Sequence, residues 1–307
     1  MLERDRGRLA DARRRLNVSP LGSGALAGAG YPLDREATAS ELGFDGVTAN
    51  SLDAVSDRDF VIEVLAAVAL AMVHLSRLAE EITWWSNPRF GFVRVADAFS
   101  TGSSMMPNKR NPDPAELVRG RAATVIGAVA GTLALLKGLP LAYQRDLQED
   151  KASLFGAVRT LEASLEVMAG LVETLTVDAA RMREAADEGY TTATAVADAL
   201  VRRGVPFRVA HQIVGSLVAQ AEEAGIGLAE VPDAMIGIAL GAAGDPVAAE
   251  LAAESGIGDA LRAAASIEGA LAGCDVVGGT APDRVRAALR GARERLAAIT
   301  PELARPG

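Results

Sequence analysis

The segment Ser100-Thr-Gly-Ser-Ser-Met-Met-Pro-Asn-Lys-Arg-Asn-Pro112 concentrates groups that can do chemistry. Gly102 frees the backbone beside two hydroxyls, Ser103 and Ser104. Lys109, Arg110 and the amides at the start of the helix that follows gather positive potential next to them. Such a loop suits a carboxylate ligand. It also suits a hydroxyl that must ionise, because nearby cations favour the charged form. On the residues alone it is an anion-binding loop, and the plainer alternative is a flexible run of small residues ahead of a helix. Glu116 has a plain explanation as well. With Asp113 as N-cap and Pro114 at the first helical position, Glu116 falls where a capping box places its glutamate.

The elements that must carry this loop are helical. Leu2, Leu9 and Leu16 recur at helical spacing, and Asn17 to Arg35 then breaks the pattern with Pro20, Pro32 and repeated glycines. Within that stretch Gly22-Ser-Gly24-Ala-Leu-Ala27 loosely matches a dinucleotide fingerprint, but no strand precedes it and no βαβ pattern follows. Ser56-Asp57-Arg58-Asp59 reads as a helix start, with the helix running to about Ile82 and apolar nearly all round, as an element buried by several neighbours. A second long helix is predicted from Asp113 to Lys137, stopped by Gly138-Leu-Pro140, and a third from about Gln148 to Leu175. Beyond Thr176 the helices shorten between Gly204, Pro206, Gly225, Gly227, Pro232, Gly241, Gly244 and Pro246. The expectation is an all-α chain: a long-helix central bundle over 1–177 and a smaller helical C-terminal domain over 178–307. The longest apolar stretch, Val61 to Leu75, is shorter than the roughly 20 residues of a membrane span.

Gly102-Ser-Ser-Met-Met-Pro-Asn-Lys-Arg-Asn-Pro112 resembles the signature G-S-S-x-M-P-x-K-x-N-P of the fumarase/aspartase superfamily. Further segments resemble its argininosuccinate lyase branch: Asn50-Ser-Leu-Asp-Ala-Val-Ser-Asp-Arg-Asp-Phe60, Leu139-Pro-Leu-Ala-Tyr-Gln-Arg-Asp-Leu-Gln-Glu-Asp-Lys151, Gly189-Tyr-Thr-Thr-Ala-Thr194 and Gly278-Gly-Thr-Ala-Pro282. The resemblance runs from Leu2 to about Leu296. It implies helical, usually homotetrameric lyases that release fumarate from a succinyl-type substrate, with neither metal nor organic cofactor. It implies Ser103 as catalytic base, with Ser104 as a hydrogen-bond donor, and Lys109 and Asn111 holding the fumarate-end carboxylate. Glu116 would pair with the catalytic histidine, and Tyr143, Gln148 and Lys151 would bind the arginine side of argininosuccinate.

One departure stands out. The segments that carry the family's arginine- and asparagine-containing substrate loop and its Thr-His pair have no counterpart among these residues. His74 sits between Val73 and Leu75 on a helix, and His211 follows Arg208; both are given structural roles. The expectation is therefore a C-terminal portion of the enzyme, inactive alone: a fragment, a chain whose gene model begins late, or a chain whose missing N-terminal segment another polypeptide supplies. An adenylosuccinate lyase-like enzyme is the alternative within the superfamily, although Tyr143-Gln-Arg-Asp-Leu-Gln148 speaks for the argininosuccinate branch. A non-catalytic oligomer or half of a split enzyme is the alternative outside it.

Composition closes off other classes. Half the residues are hydrophobic and only 4% aromatic, against both disorder and an all-β fold. One cysteine, Cys274, and two histidines leave no disulfide framework and make a His-rich metal site implausible. A net charge of −9 argues against nucleic acid, including for the helix–turn–helix spacing of 192–221. The N-terminal stretch, charged from Glu3 to Arg15, is no signal peptide. A soluble, cytoplasmic protein without membrane or nucleic-acid partners is expected.

Overall fold

The computed structural model describes residues 1–102, 105–106 and 110–303. The chain divides into two compact units, 1–178 and 179–307.

The first unit is built from α1 (Leu2–Leu16), α2 (Arg35–Glu41), α3 (Ser51–Ser56), α4 (Asp59–Trp85), α5 (Asp113–Leu136) and α6 (Asp150–Glu173). Its core follows from one repeat. On α4 the buried residues Val61, Leu65, Val68, Met72, Leu75, Ala79 and Ile82 alternate steps of four and three. The same alternation runs through Ala115, Val118, Ala122 and Val125 on α5, and through Ala157, Leu161, Ser164, Met168 and Leu171 on α6. A seam of that period keeps facing its partner only when helices cross at a shallow angle, as in left-handed bundles. Accordingly α4 packs against α5, α6 and α1. Alanine at several seam positions lets the backbones approach closely.

α4 and α5 are also long and apolar enough to cross a membrane by length and composition, with mean hydropathies of 1.9 and 1.2. The apolar run Val61 to Leu75 is only the middle of α4, which continues past it through Ser76 and Arg77 to Trp85. His74 is satisfied inside the bundle, its Nδ1 2.6 Å from Asp5 Oδ2 on α1.

Two pairs of two-residue strands tie the connections down. β1 (Val93–Arg94) pairs antiparallel with β4 (Thr176–Val177), and β2 (Thr101–Gly102) with β3 (Arg110–Asn111).

The second unit contains α7 (Ala179–Asp187), α8 (Ala193–Arg202), α9 (Phe207–Ala224), α10 (Asp233–Gly241), α11 (Pro246–Ala252), α12 (Ile257–Ala265), α13 (Ile267–Gly273) and α14 (Pro282–Leu303). Leu200, Ile213, Leu217, Ile236, Leu240 and Leu261 form its core. The chain is all-α, with strands no longer than two residues among the described residues.

Two helix starts differ from the sequence reading. Ser56-Asp57-Arg58-Asp59 does not open a helix in one step. It ends α3 and turns before α4, with the Asp59 amide donating to Asp57 Oδ1 at 2.6 Å. At α5 the N-cap is Pro112, without a side-chain cap, and Asp113 lies inside the helix.

Candidate active site

The signature loop is closed at its base. Thr101 pairs with Asn111 and Gly102 with Arg110, so the chain leaves and re-enters at one point beside the start of α5. Two side chains fix that stem. Thr101 Oγ1 donates to Asp113 Oδ2, and Arg110 Nη1 lies 2.5 Å from Asp97 Oδ1. Asn111 sits half-buried on the stem. Ser103, Ser104 and Lys109 lie outside the described residues.

Glu116 follows one turn later, and the capping explanation fails for it. A capping box needs a backbone N–H on the N-cap residue, and Pro112 has none. Glu116 instead faces Arg119, whose Nη2 is 4.0 Å from its carboxylate. Arg119 Nη1 is bonded to Glu80 on α4, and Glu80 also accepts from Trp84 Nε1 at 2.8 Å. The Arg119 guanidinium, and then the Trp84 indole, hold the Glu80 carboxyl below its ordinary value. Glu80 in turn holds Arg119 above its own.

The other candidate residues lie beyond the far end of α5. Between Glu116 and Leu136 the helix advances by about 30 Å, and only then does the chain reach Tyr143, Gln148 and Lys151. Gln148 Nε2 donates to Tyr143 Oη at 2.6 Å. Lys151 Nζ lies 2.9 Å from Asp150 Oδ1. Asp150 is buried, and its second oxygen accepts from Arg58 Nε. A cavity of about 500 Å³ opens beside this cluster, lined by Asp57, Arg58, Phe60, Asp150, Lys151 and Phe155. A second, of about 580 Å³, is lined by Leu26, Val55, Arg58, Ala142 and Tyr143. Burial pushes the Asp57 carboxyl up, against a smaller pull downward from the Asp59 amide.

The structure thus joins Tyr143 to Gln148 and sets Lys151 on the same end of the bundle. It leaves Asn111, on the stem of the signature loop, and Glu116 at the opposite end. Neither histidine joins either group: His74 is held by Asp5, and His211 is exposed with its ring 6.3 Å from that of Phe207. No cluster of three His, Cys, Asp or Glu able to hold a metal occurs among the described residues.

A lyase family model matches residues 1–127, and an argininosuccinate lyase C-terminal model matches residues 190–270. Argininosuccinate lyase of Halorhodospira halophila is 53% identical over 298 residues, which is 97% of this chain and 61% of that protein. By these likenesses the chain is similar to argininosuccinate lyases of the fumarase/aspartase superfamily. It spans about three-fifths of that relative's length. Among solved structures, EDDS lyase in complex with formate superposes with a TM-score of 0.86 at 31% identity, covering 98% of this chain and 59% of the other. Class II fumarase from Schistosoma mansoni, at 16% identity, shares the fold with a TM-score of 0.64 over 75% of this chain and 51% of its own.

Reading the sequence as a member of this family still missed Ser56, Arg58 and Asp150. Ser56 and Arg58 read as part of a polar helix start, and Asp150 only as part of the resembling segment Leu139 to Lys151, inside a helix predicted from about Gln148. Asp150 is 92 positions from Arg58, so the signal that pairs them is tertiary, and only the acidic and basic residues beside two predicted helix starts hinted at it.

Proposed function

We propose that the chain carries the substrate-cleaving chemistry of its family: elimination of fumarate from argininosuccinate to give arginine, without metal or organic cofactor. Ser103 removes the proton next to the fumarate-end carboxylate, and the electron pair is held there as an aci-carboxylate. That intermediate expels the guanidino nitrogen, so one C–H and one C–N bond break while the C=C bond of fumarate forms. A serine is a weak base until cations favour its ionised form, and Lys109 supplies one. Lys109 and Asn111 hold the carboxylate as charge builds on it, and Ser104 donates a hydrogen bond. Tyr143, Gln148 and Lys151 bind the arginine side. Glu116 pairs with a histidine from outside residues 1–307 that serves the leaving nitrogen.

One observation carries this reading: the 53% identity to an argininosuccinate lyase extends over 97% of the chain. A variant of EDDS lyase, 31% identical and alike in fold with a TM-score of 0.84, is known with bound fumarate. The adenylosuccinate lyase-like alternative has no comparable support.

The two groups lie at opposite ends of α5, so one chain does not bring them together. A site that needs both is completed between copies, with the loop of one facing the α5–α6 connection of another. The face of the bundle away from the seam fits that arrangement. Leu117, Ile126 and Leu133 on α5 and Phe155, Leu165 and Val172 on α6 are exposed, and apolar surface of that kind marks association sites. We read the complete assembly as a cytoplasmic homotetramer with central helices packed between subunits.

The test is fumarate absorbance with argininosuccinate as substrate. Residues 1–307 alone are expected to give little or no turnover, and co-expression with the histidine-bearing segment of the family to restore it. Robust turnover by residues 1–307 alone would show that the histidine is not required.

A further inference from the structure

The turn between α3 and α4 grips the α5–α6 connection at both ends. Ser56 Oγ accepts from the Ala142 amide at 2.6 Å and donates to the Leu52 carbonyl at 2.6 Å, so its proton and a lone pair are both engaged. Ala142 sits at φ +72°, in the left-handed region that a residue with a Cβ adopts only when its surroundings hold it there. Two residues on, Arg58 donates through Nη1 to the Asp57 carbonyl at 2.6 Å and through Nε to Asp150. The other oxygen of Asp150 holds Lys151 Nζ at 2.9 Å.

Each gripped residue directly precedes a candidate substrate ligand. Ala142 is followed by Tyr143 and Asp150 by Lys151, while Gln148 bonds Tyr143 from within the connection. The Lys151 side chain is 51% exposed, and a lysine that open to water is ordinarily mobile; here a carboxylate only 6% exposed holds it. A half-exposed ion pair adds little stability. Its consequence is direction: it aims one ammonium group.

We propose that Ser56, Arg58 and Asp150 are positioning residues for Tyr143, Gln148 and Lys151. The α3–α4 turn sets the conformation of the connection at its Ala142 end and the direction of the lysine at its Asp150 end. The phenol, the amide and the ammonium then stand at a fixed spacing before substrate arrives, which lowers the ordering cost of binding. This rests on the reading of those three residues as the arginine-side subsite, and it adds the residues that make the subsite rigid.

The sequence offers a clean readout, because it contains three lysines (109, 137 and 151) and three tyrosines (31, 143 and 190). Dimethylation of the lysines with [¹³C]formaldehyde and incorporation of 3-fluorotyrosine therefore give NMR spectra with few, assignable side-chain signals. In the parent chain the two methyls of Lys151 are expected to be resolved, and those of exposed Lys137 to average to one line. Asp150→Asn should collapse the Lys151 pair to an averaged line. Ser56→Ala should shift and broaden the Tyr143 fluorine line, leaving those of Tyr31 and Tyr190 in place. Ser56→Ala removes only one hydroxyl, so it remains informative if Asp150→Asn fails to fold. In the complemented enzyme both changes should raise KM for argininosuccinate about tenfold with kcat little altered, as expected for lost ground-state and transition-state binding alike. Unchanged Lys151 and Tyr143 signals in the two variants overturn the proposal. L-arginine added to the parent should move both signals. If the variants disturb them and L-arginine does not, the positioning role stands and the subsite reading fails.

Discussion

The two ends of the first helical unit use the same kinds of side chain in opposite ways. At the end that carries the signature loop, Arg119 reaches Glu80 and Glu116 across open surface, with side-chain exposures of 41%, 43% and 46%. At the end that carries Tyr143, Gln148 and Lys151, Arg58 meets Asp150 at exposures of 14% and 6%. Exposed pairs are screened and break at little cost, whereas a buried pair, once assembled, is expensive to open. The loop end therefore suits groups that must rearrange around a reacting carbon. The far end suits groups that must hold a shape while a substrate arrives. On the proposed reading, one chain divides the two tasks along roughly 30 Å of α5.

The largest effect tests whether the ends serve one site. In the complemented enzyme Ser103→Ala should lower kcat by about 10²–10⁴-fold, the range of a lost general base. Ser104→Ala should cost nearer the 1 kcal/mol of one hydrogen bond, and Lys109→Ala should impair KM and kcat together. Lys151→Ala at the other end should chiefly raise KM. Co-expressing Ser103→Ala with Lys151→Ala sharpens the comparison. If each site takes its loop from one copy and its connection from another, random mixing leaves half the loops and half the connections intact. About a quarter of the sites then recover. Recovery absent from purified mixed oligomers would mean that both groups act within one chain, against the separation imposed by α5.

A smaller effect separates the ends by stability. Arg58→Ala leaves Asp150 buried with only Lys151 beside it, and removing one partner of a buried pair typically costs 3–5 kcal/mol. Arg119→Ala at the exposed end should cost 0–1 kcal/mol. Urea unfolding of the two variants decides it: equal losses would erase the distinction between fixed and loose ends.

Much of this architecture is legible in the sequence, because it rests on local periodicity. The seam on α4, the break after Asn17 and the stop at Gly138 are all set by residues a few positions apart. The expectations that failed depended on the direction a short segment takes. Asp113 looks like a cap in the string, but Pro112 occupies that position and Asp113 turns to Thr101 across the loop stem. Ser56-Asp57-Arg58 looks like a single helix start because nothing local distinguishes a start from a turn between two helices. At the candidate site the family resemblance supplied the candidate ligand residues. The groups that hold them were invisible for a different reason: Ser56 meets Ala142 86 positions away, a pairing made by helix packing and not by spacing.

The smallest effect concerns Asp57, within the half-buried turn itself. Burial raises its carboxyl, so the folded state binds this proton more tightly than the unfolded chain does. A group of that kind contributes stability that is fully present below the unfolded carboxylate value, near 3.9, and is lost as pH rises through the higher folded value. At neutral pH the ionised Asp57 is therefore a liability that the Asp59 amide only partly offsets. Asp57→Asn keeps an oxygen to accept from that amide at 2.6 Å and removes the charge. Its Tm should exceed the parent's at pH 7, and the gap should close as pH falls below the ordinary carboxylate range. A Tm difference that stays constant from pH 3 to pH 7 would mean that Asp57 is not desolvated, and that the rigid end of the bundle is held by Arg58 and Asp150 alone.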